Sequence, residues 1–384
     1  MTAEVTFWVS VAMIGYSYVG YPVLLLFISL FINRRVGAAE FCPYVSILIA
    51  AYNEEKDIEA KLRNCFELDY PKDKLEIVVA SDGSTDATDE IVRRFGTNDA
   101  GIKVILHRVE GRLGKTAAQN SAVKICSGDV IVFSDAACTY DRGALRALAR
   151  NYADPGVGAV SGMYTYLNQK GNSVGRATSL FWSIENYIKS RQTRIKTITG
   201  CCGCIYSIRK DLYTELPPQI ISDLVEPLTI LKKGYRIVFE PAARAIEETA
   251  GKAKEEFNMR VRVIVRGMNG MIFVRSLFNP LKYPFESFQL ISHKVLRWLV
   301  PVFAVSAFIS NMALLGTSLF YALSFVLQLV FYGFAFIGYR NEKKGVSNRL
   351  FYLPLYFCIV NLASLCSLFK VLARKNIVTW QTQR

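Results

Sequence analysis

The sequence has little from which to build a structural zinc site or a disulfide framework. It contains only two histidines, His107 and His293, and its nine cysteines stand at irregular positions. Structural zinc sites take four cysteine or histidine ligands, usually supplied by two closely spaced pairs. Cys201, Cys202 and Cys204 are close in sequence, but no second closely spaced pair of cysteines or histidines is present to complete a zinc site with them. We therefore expect free thiols and a reducing compartment.

The usual glycine-rich loops for phosphate are missing as well. No GxGxxG motif follows the first predicted strand, which argues against a dinucleotide-binding domain. The string GRLGKT resembles a Walker A loop, but only two residues separate Gly111 from Gly114, where that loop has four. A phosphate-bearing ligand of this chain would have to be held by a different arrangement.

Charge is absent from three long stretches, residues 7–32, 298–339 and 350–369. Because a transmembrane helix needs about 20 apolar residues, the first and last stretches predict one helix each. The middle stretch predicts two helices with a turn near Gly316. The first stretch is too long for a removed signal peptide and lacks a basic start. We therefore predict membrane helices on both sides of a water-exposed domain.

The predicted organisation has five parts. In chain order they are a transmembrane helix, an α/β domain, amphipathic interface helices, about three transmembrane helices and a tail, at residues 5–33, 42–253, 254–293, 294–372 and 373–384. The formal net charge of +14 suits a protein that lies against anionic lipid and handles an anionic substrate.

Basic residues next to the apolar stretches predict the side that the domain faces. Arg34 and Arg35 follow the first stretch directly, which by the positive-inside rule predicts a multi-pass protein of the cell membrane with its domain in the cytosol. The basic residues within 340–349 agree. Those within 374–384 do not, because four simple crossings would put them outside. Either the last apolar segment does not fully cross, or the rule fails at this end.

The domain itself shows alternating strands and helices. Strands are predicted at 45–51, 75–80, 103–107 and within 128–140, and helices at 53–65, 87–95 and 115–126. This alternation indicates βαβ units and a Rossmann-like parallel sheet. The four consecutive apolar residues Val130–Phe133 point to both faces of a strand, so both faces must be buried, as in a central parallel strand. Asp135 then lies at the edge where such a sheet binds ligands. A second interpretation, in which Asp135 only caps the following helix, stays open.

The polar residues after these strands resemble those of the membrane-embedded family 2 inverting glycosyltransferases, which include hyaluronan, chitin, cellulose and poly-N-acetylglucosamine synthases. AAYNEE at 50–55, SDGSTD at 81–86 and GKTAAQN at 114–120 match three elements of that family in order. The resemblance runs from Val45 to about Gly267. It implies a GT-A glycosyltransferase domain inserted between transmembrane helices.

The resemblance also implies a donor site. Asp82 would contact the uracil and ribose of a UDP-sugar, Lys115 would lie near the diphosphate, and Asp135 would hold that diphosphate through Mg²⁺ or Mn²⁺. Ala137 stands where the family's DxD element has its second acid, so we expect a weaker metal site that uses one carboxylate, water and phosphate. The predicted donor-binding residues are Ala51, Asn53, Glu54, Asp82, Lys115, Asp135 and Arg262.

Two further elements are implied for the acceptor. TGCCGCIYSIRKD at 199–211 resembles the loop and strand that line the acceptor site, with Cys202 and Gly203 as lining residues. Asp223, in IISDLVEP, takes the position of the catalytic base, which inversion needs to remove the proton of the attacking hydroxyl. Two other interpretations stay open. In one, the cysteines pack only in the core; in the other, Asp223 only caps a helix.

Processive family members carry QxxRW next. Here Arg262 stands in the place of the arginine, while Met259 and Val263 replace the glutamine and the tryptophan. In the family this arginine reaches the donor phosphates. Arg262 and Arg266 share one helical face opposite an apolar one, which predicts an amphipathic helix at the membrane surface.

The predicted function is a membrane-bound inverting glycosyltransferase that moves a sugar from a nucleotide-sugar, most simply a UDP-sugar, to a growing polysaccharide. Processive synthesis of a β-glycan coupled to export fits best. The incomplete QxxRW motif keeps transfer of a single sugar to a lipid-linked acceptor open. From another class, the missing second acid would suit a non-catalytic nucleotide-binding scaffold. The expected partners are a UDP-sugar, a glycan or lipid-linked acceptor and the lipid bilayer, and no nucleic acid.

Overall fold

The computed structural model describes residues 1–96, 101–167, 173–248, 253–344, 346, 348–375 and 377–379. Within them, eight strands form one mixed sheet. The strands are β1 (Val45–Ala51), β2 (Leu75–Ser81), β3 (Lys103–Arg108), β4 (Val130–Asp135), β5 (Thr139–Tyr140), β6 (Val157–Leu167), β7 (Ile205–Arg209) and β8 (Arg236–Glu248).

Helices flank the sheet and extend from both ends of the domain. They are α1 (Thr2–Gly15), α2 (Tyr21–Phe31), α3 (Ile58–Phe66), α4 (Thr88–Phe95), α5 (Lys115–Val123), α6 (Ala144–Ala149), α7 (Ser173–Ile195), α8 (Ser222–Lys232), α9 (Ala253–Phe273), α10 (Pro284–Leu290), α11 (Leu296–Ala313), α12 (Leu319–Lys343) and α13 (Arg349–Leu372).

The sheet order is β3-β2-β1-β4-β7-β6-β8-β5. The first four strands in this order are parallel, which confirms the predicted Rossmann-like half. Along β1, Ile47 and Ile49 face one hydrophobic core and Leu48 faces the other, because successive strand residues point to opposite faces. β7 then pairs antiparallel with β4 and with β6. The carboxyl ends of β1, β2 and β4 therefore open on one edge, next to the start of β7.

One predicted helix boundary is wrong. Asn53 does not begin a helix, since α3 begins at Ile58 and Asn53 adopts a left-handed backbone with φ +53°. Asparagine tolerates this conformation better than most residues. The Asn53 backbone N–H donates to Ser84 Oγ at 3.2 Å, and its side-chain oxygen accepts from the Thr85 N–H at 2.8 Å. Asn53 thus ties two loops together instead of capping a helix.

Among the described residues, four helical segments are long and apolar enough to cross a membrane, Thr2–Phe31, Pro284–Ala313, Leu319–Lys343 and Leu350–Leu372. The second begins ten residues before the predicted start at 294, because α10 continues into α11 through a π-helical turn. The predicted turn near Gly316 is present, and this glycine has φ +88°.

The apolar face of α9 packs against protein. Val261 and Val265 cluster with Ala363 of α13, and Ser367 Oγ donates to the Val261 carbonyl at 3.3 Å. The sequence predicted an amphipathic helix at the membrane surface. In the structure α13 covers its apolar face, so α9 is held between the domain and the last apolar helix.

The chain beyond α13 returns to the α/β domain. Ile377 packs with the α9–α13 cluster, and the Val378 carbonyl oxygen lies 2.7 Å from where a Cβ on Gly114 would stand. A full crossing by α13 would separate these groups by about 30 Å of hydrocarbon. The chain after α13 therefore lies against the domain, and we expect Lys375 on the same side of the membrane as the domain. Arg384 lies outside the described residues.

This packing predicts the labelling of engineered cysteines in intact cells. We expect Lys232→Cys in the domain and Lys375→Cys after α13 to show the same accessibility to a membrane-impermeant maleimide. Thr317→Cys, between α11 and α12, is expected to react from the opposite side. All three positions are exposed, and each variant is made in a Cys366→Ser background because Cys366 is an exposed native thiol.

The measurement compares a membrane-impermeant with a permeant maleimide. The packing of the tail on the domain would be contradicted if Lys375→Cys followed Thr317→Cys rather than Lys232→Cys.

Candidate active site

Asp82 joins two loops at the carboxyl end of β2. Its buried carboxylate accepts from the backbone N–H of Leu113 at 2.8 Å and of Gly114 at 2.9 Å. Burial raises the pKa of Asp82, and these two hydrogen bonds oppose that effect. A Cβ on Gly83 would meet the Gly111 carbonyl oxygen at 2.5 Å, so this close approach requires glycine. Asp82 thereby orients the loop that leads into α5.

The residues predicted after β1 lie beside this loop. The Asp82 N–H donates to the Ala51 carbonyl at 2.9 Å, and the Glu54 N–H donates to Thr88 Oγ1 at 2.8 Å. The Arg112 guanidinium stacks 4.0 Å from the centre of the Tyr52 ring. This cation–π pair was not foreseen from the sequence. The loops after β1 and β2 therefore form one continuous wall.

Lys115, the first residue of α5, forms an ion pair with Asp135 at the end of β4. Burial alone would lower the pKa of Lys115, but the nearby Asp135 and Asp223 outweigh it and raise the pKa. The Asp135 side chain is 36% exposed and that of Lys115 22%, so both remain reachable by a ligand. The structure brings these two predicted donor residues together.

Asp223 lies in the first turn of α8 and reaches the same point. A Cβ on Gly203 would stand 3.0 Å from Asp223 Oδ2 and 3.6 Å from Lys115 Nζ. Gly203 therefore faces both groups, as a lining residue should. Burial raises the pKa of Asp223, and the positive charge of Lys115 offsets part of that rise. A carboxylate with a raised pKa is a stronger base than an exposed aspartate.

Cys202 has a different environment from its neighbour Gly203. Its side chain is 2% exposed and belongs to the hydrophobic core, and its backbone N–H donates to Ser161 Oγ at 3.2 Å. The Cys202 side chain therefore packs in the core and does not face the site. Gly203 lies beside the site through its backbone.

Two arginines of α9 complete the arrangement. Burial lowers the pKa of Arg262, and the charge of Asp135 opposes that shift. Arg266, one helical turn later, donates to Thr116 Oγ1 and to the Ile220 carbonyl, both at 2.7 Å. The sequence placed Arg266 on the same face but assigned it no role. It is a positioning residue that connects the start of α5 with the chain before α8.

The residues around Asp135 suit a hard divalent cation only in part. Mg²⁺ and Mn²⁺ prefer oxygen ligands, and Asp135 offers a half-exposed carboxylate. Ala137 offers none. One carboxylate together with water and phosphate oxygens is an arrangement that Mg²⁺ uses, so the site fits a cation that arrives with a diphosphate.

Comparison with known proteins agrees with this geometry. Residues 46–216 match the sequence profile of the family described as Glycosyl transferase family 2. Over 367 residues the chain is 29% identical to poly-β-1,6-N-acetyl-D-glucosamine synthase of Staphylococcus aureus strain COL, covering 88% of this chain and 86% of that protein. Over 230 residues it is 31% identical to the probable glycosyltransferase YdaM of Bacillus subtilis strain 168, covering 57% and 54% of the two chains.

The fold has a solved counterpart. It matches the mannosyltransferase PcManGT from Pyrobaculum calidifontis in complex with GDP-Man and Mn²⁺, with a TM-score of 0.71 and 22% identity over 96% of this chain and 99% of the other. The architecture is thus that of the GT-A glycosyltransferases. The match of residues 46–216 to a glycosyl transferase family 2 domain and the similarity to a synthase support a glycosyltransferase, which argues against the scaffold hypothesis.

The contacts of Arg266 predict its contribution to stability. Arg266→Met keeps the aliphatic packing but leaves Thr116 and the Ile220 carbonyl without this donor, so we expect a loss of about 1–3 kcal/mol in the free energy of unfolding. Arg262→Met on the same face is the matched control and should unfold close to the parent. Thermal unfolding of the purified full chain measures both. Equal stability of the two variants would remove Arg266 from its positioning role.

Proposed function

We propose that this enzyme transfers sugar units from a UDP-sugar to the end of a growing β-linked polysaccharide, processively and at the cytosolic face of the membrane. The observation that carries the proposal is the convergence of Lys115, Asp135 and Asp223 beside the backbone of Gly203. The similarity to a polysaccharide synthase over most of both chains, membrane helices included, supports a polymeric product.

The donor is held by groups of opposite charge. Lys115 and Arg262 supply positive charge for a diphosphate next to Asp135, and Asp82 with the loop of Arg112 borders the place for the nucleoside. Mg²⁺ or Mn²⁺ bound by Asp135 would stabilise the negative charge on the departing diphosphate. Lys115 lies at a helix N-terminus, where the N–H groups also favour an anion.

Asp223 acts on the acceptor. Its carboxylate takes the proton of the acceptor hydroxyl while that oxygen forms a bond to the anomeric carbon of the donor sugar. The bond from this carbon to the diphosphate oxygen breaks on the opposite side, so the configuration inverts. The raised pKa of Asp223 makes it a better proton acceptor. Gly203 leaves room for the hydroxyl, because any larger residue would contact Asp223.

A second candidate is transfer of one sugar to a lipid-linked acceptor. It is favoured by Met259 and Val263, which replace two residues of the motif that processive relatives carry. The size of the product separates the two candidates.

Replacing the base predicts a loss of transfer without a loss of donor binding. In Asp223→Asn the amide cannot accept the proton, and loss of a general base costs roughly 10²–10⁴-fold in rate. UDP affinity in the presence of Mn²⁺, measured by calorimetry, should change little because the lost interaction acts in the transition state. In the parent, the rate should fall on the acidic side at a pH above the ordinary pKa of aspartate, since the pKa of Asp223 is raised.

Asparagine caps a helix about as well as aspartate, so a capping role predicts the opposite result. Near-parental transfer by Asp223→Asn would exclude this carboxylate as the base. Asp135→Asn is the contrasting variant, in which UDP binding with Mn²⁺ should itself weaken.

A further inference from the structure

Two buried thiols lie directly beside Asp135. The ligand atoms of Asp135, Cys138 and Cys204 all lie within 4.8 Å of one another. Cys204 Sγ is 3.6 Å from Asp135 Oδ2, while the other carboxylate oxygen, Oδ1, pairs with Lys115. One side of Asp135 thus faces the proposed diphosphate, and its other side faces sulfur.

A second carboxylate approaches the same thiols. Glu247 Oε2 lies 3.5 Å from Cys138 Sγ and 3.5 Å from Cys204 Sγ. In a tetrahedral site with metal–oxygen bonds near 2.0 Å and metal–sulfur bonds near 2.3 Å, neighbouring ligand atoms stand about 3.5 Å apart. The Asp135–Cys204 separation of 3.6 Å and the two Glu247–sulfur separations of 3.5 Å are close to this value.

A buried positive charge stands next to this cluster. Lys61 is 2% exposed, and its Nζ donates to the Cys138 carbonyl at 2.8 Å. Among the described residues no carboxylate lies within ion-pair distance of Lys61. A buried ammonium without an anionic partner is costly. Negative charge on Cys138 and Cys204 would compensate it.

We propose that Asp135, Cys138 and Cys204 bind a thiophilic divalent cation of the zinc and cadmium class, with the Glu247 carboxylate beside the two thiols. Thiolate and carboxylate ligands together are typical of such ions, whereas Mg²⁺ and Mn²⁺ prefer oxygen alone. The cation replaces the two thiol protons, which pass to the solvent. The site is chemically distinct from that of the donor cation but shares Asp135 with it, and it does not depend on which sugar is transferred.

The test uses the purified, metal-free and reduced full chain in detergent, titrated with Cd²⁺. We expect one ion per chain in calorimetry, together with the ultraviolet charge-transfer band of cadmium thiolate. Cys138→Ser and Cys204→Ser should each weaken binding and reduce the band. Outer-shell changes at metal sites cost about 10–100-fold in affinity, so loss of a direct ligand should cost at least that.

Cys126→Ser is the matched control. Cys126 is also buried, but it donates to the Ala122 carbonyl in α5, so its removal should leave the band unchanged. If a cysteine variant does not fold, Glu247→Gln and Asp135→Asn keep both thiols and should still weaken Cd²⁺ binding. Retention of the full band in a Cys138→Ser, Cys204→Ser double variant would overturn the proposal, as would parental affinity in both carboxylate variants.

Discussion

The site depends on one ammonium group held between carboxylates. Lys115 pairs with Asp135 and is close enough to Asp223 to be influenced by its charge. Without Lys115, the negative charges of Asp135 and Asp223 would repel each other without compensation. The charge of Lys115 opposes that repulsion and offsets part of the rise in the pKa of Asp223. The positive charge of Lys115 thus acts on Asp135, which we assign to the donor, and on Asp223, which we assign to the acceptor.

The sheet order explains why these residues meet. β4 carries Asp135 and lies between β1 and β7, so the loop before β7 delivers Gly203 to the same edge. α5 begins at the loop that Asp82 orients, and Arg266 links this start to the chain that leads into α8. Because α9 packs on α13, the helix that bears Arg262 and Arg266 is coupled to the apolar part of the chain. We therefore expect a change in the packing of α13 to alter the positions of Arg262 and Arg266.

Much of the first half of the domain was predictable from local pattern. Apolar runs followed by small polar residues predicted the positions of β1, β2 and β4, and the motif residues after them predicted that Lys115 and Asp135 meet at this edge. The antiparallel half was not predictable, because the insertion of β7 between β4 and β6 depends on contacts distant in sequence. The role of Arg266 was not predictable either, because its hydrogen-bond partners Thr116 and Ile220 are distant from it in sequence. The prediction that Asn53 caps a helix was wrong because its hydrogen bonds go to the neighbouring loop.

The central claim is that this convergence makes a sugar polymer from a nucleotide-sugar. Its most direct test is nucleotide release by the purified full chain across a panel of UDP-sugars and GDP-sugars, followed by sizing of the product. The account predicts release of UDP with a particular UDP-sugar and long chains without accumulation of short ones. Release of GDP alone, or a product extended by only one sugar, would contradict it.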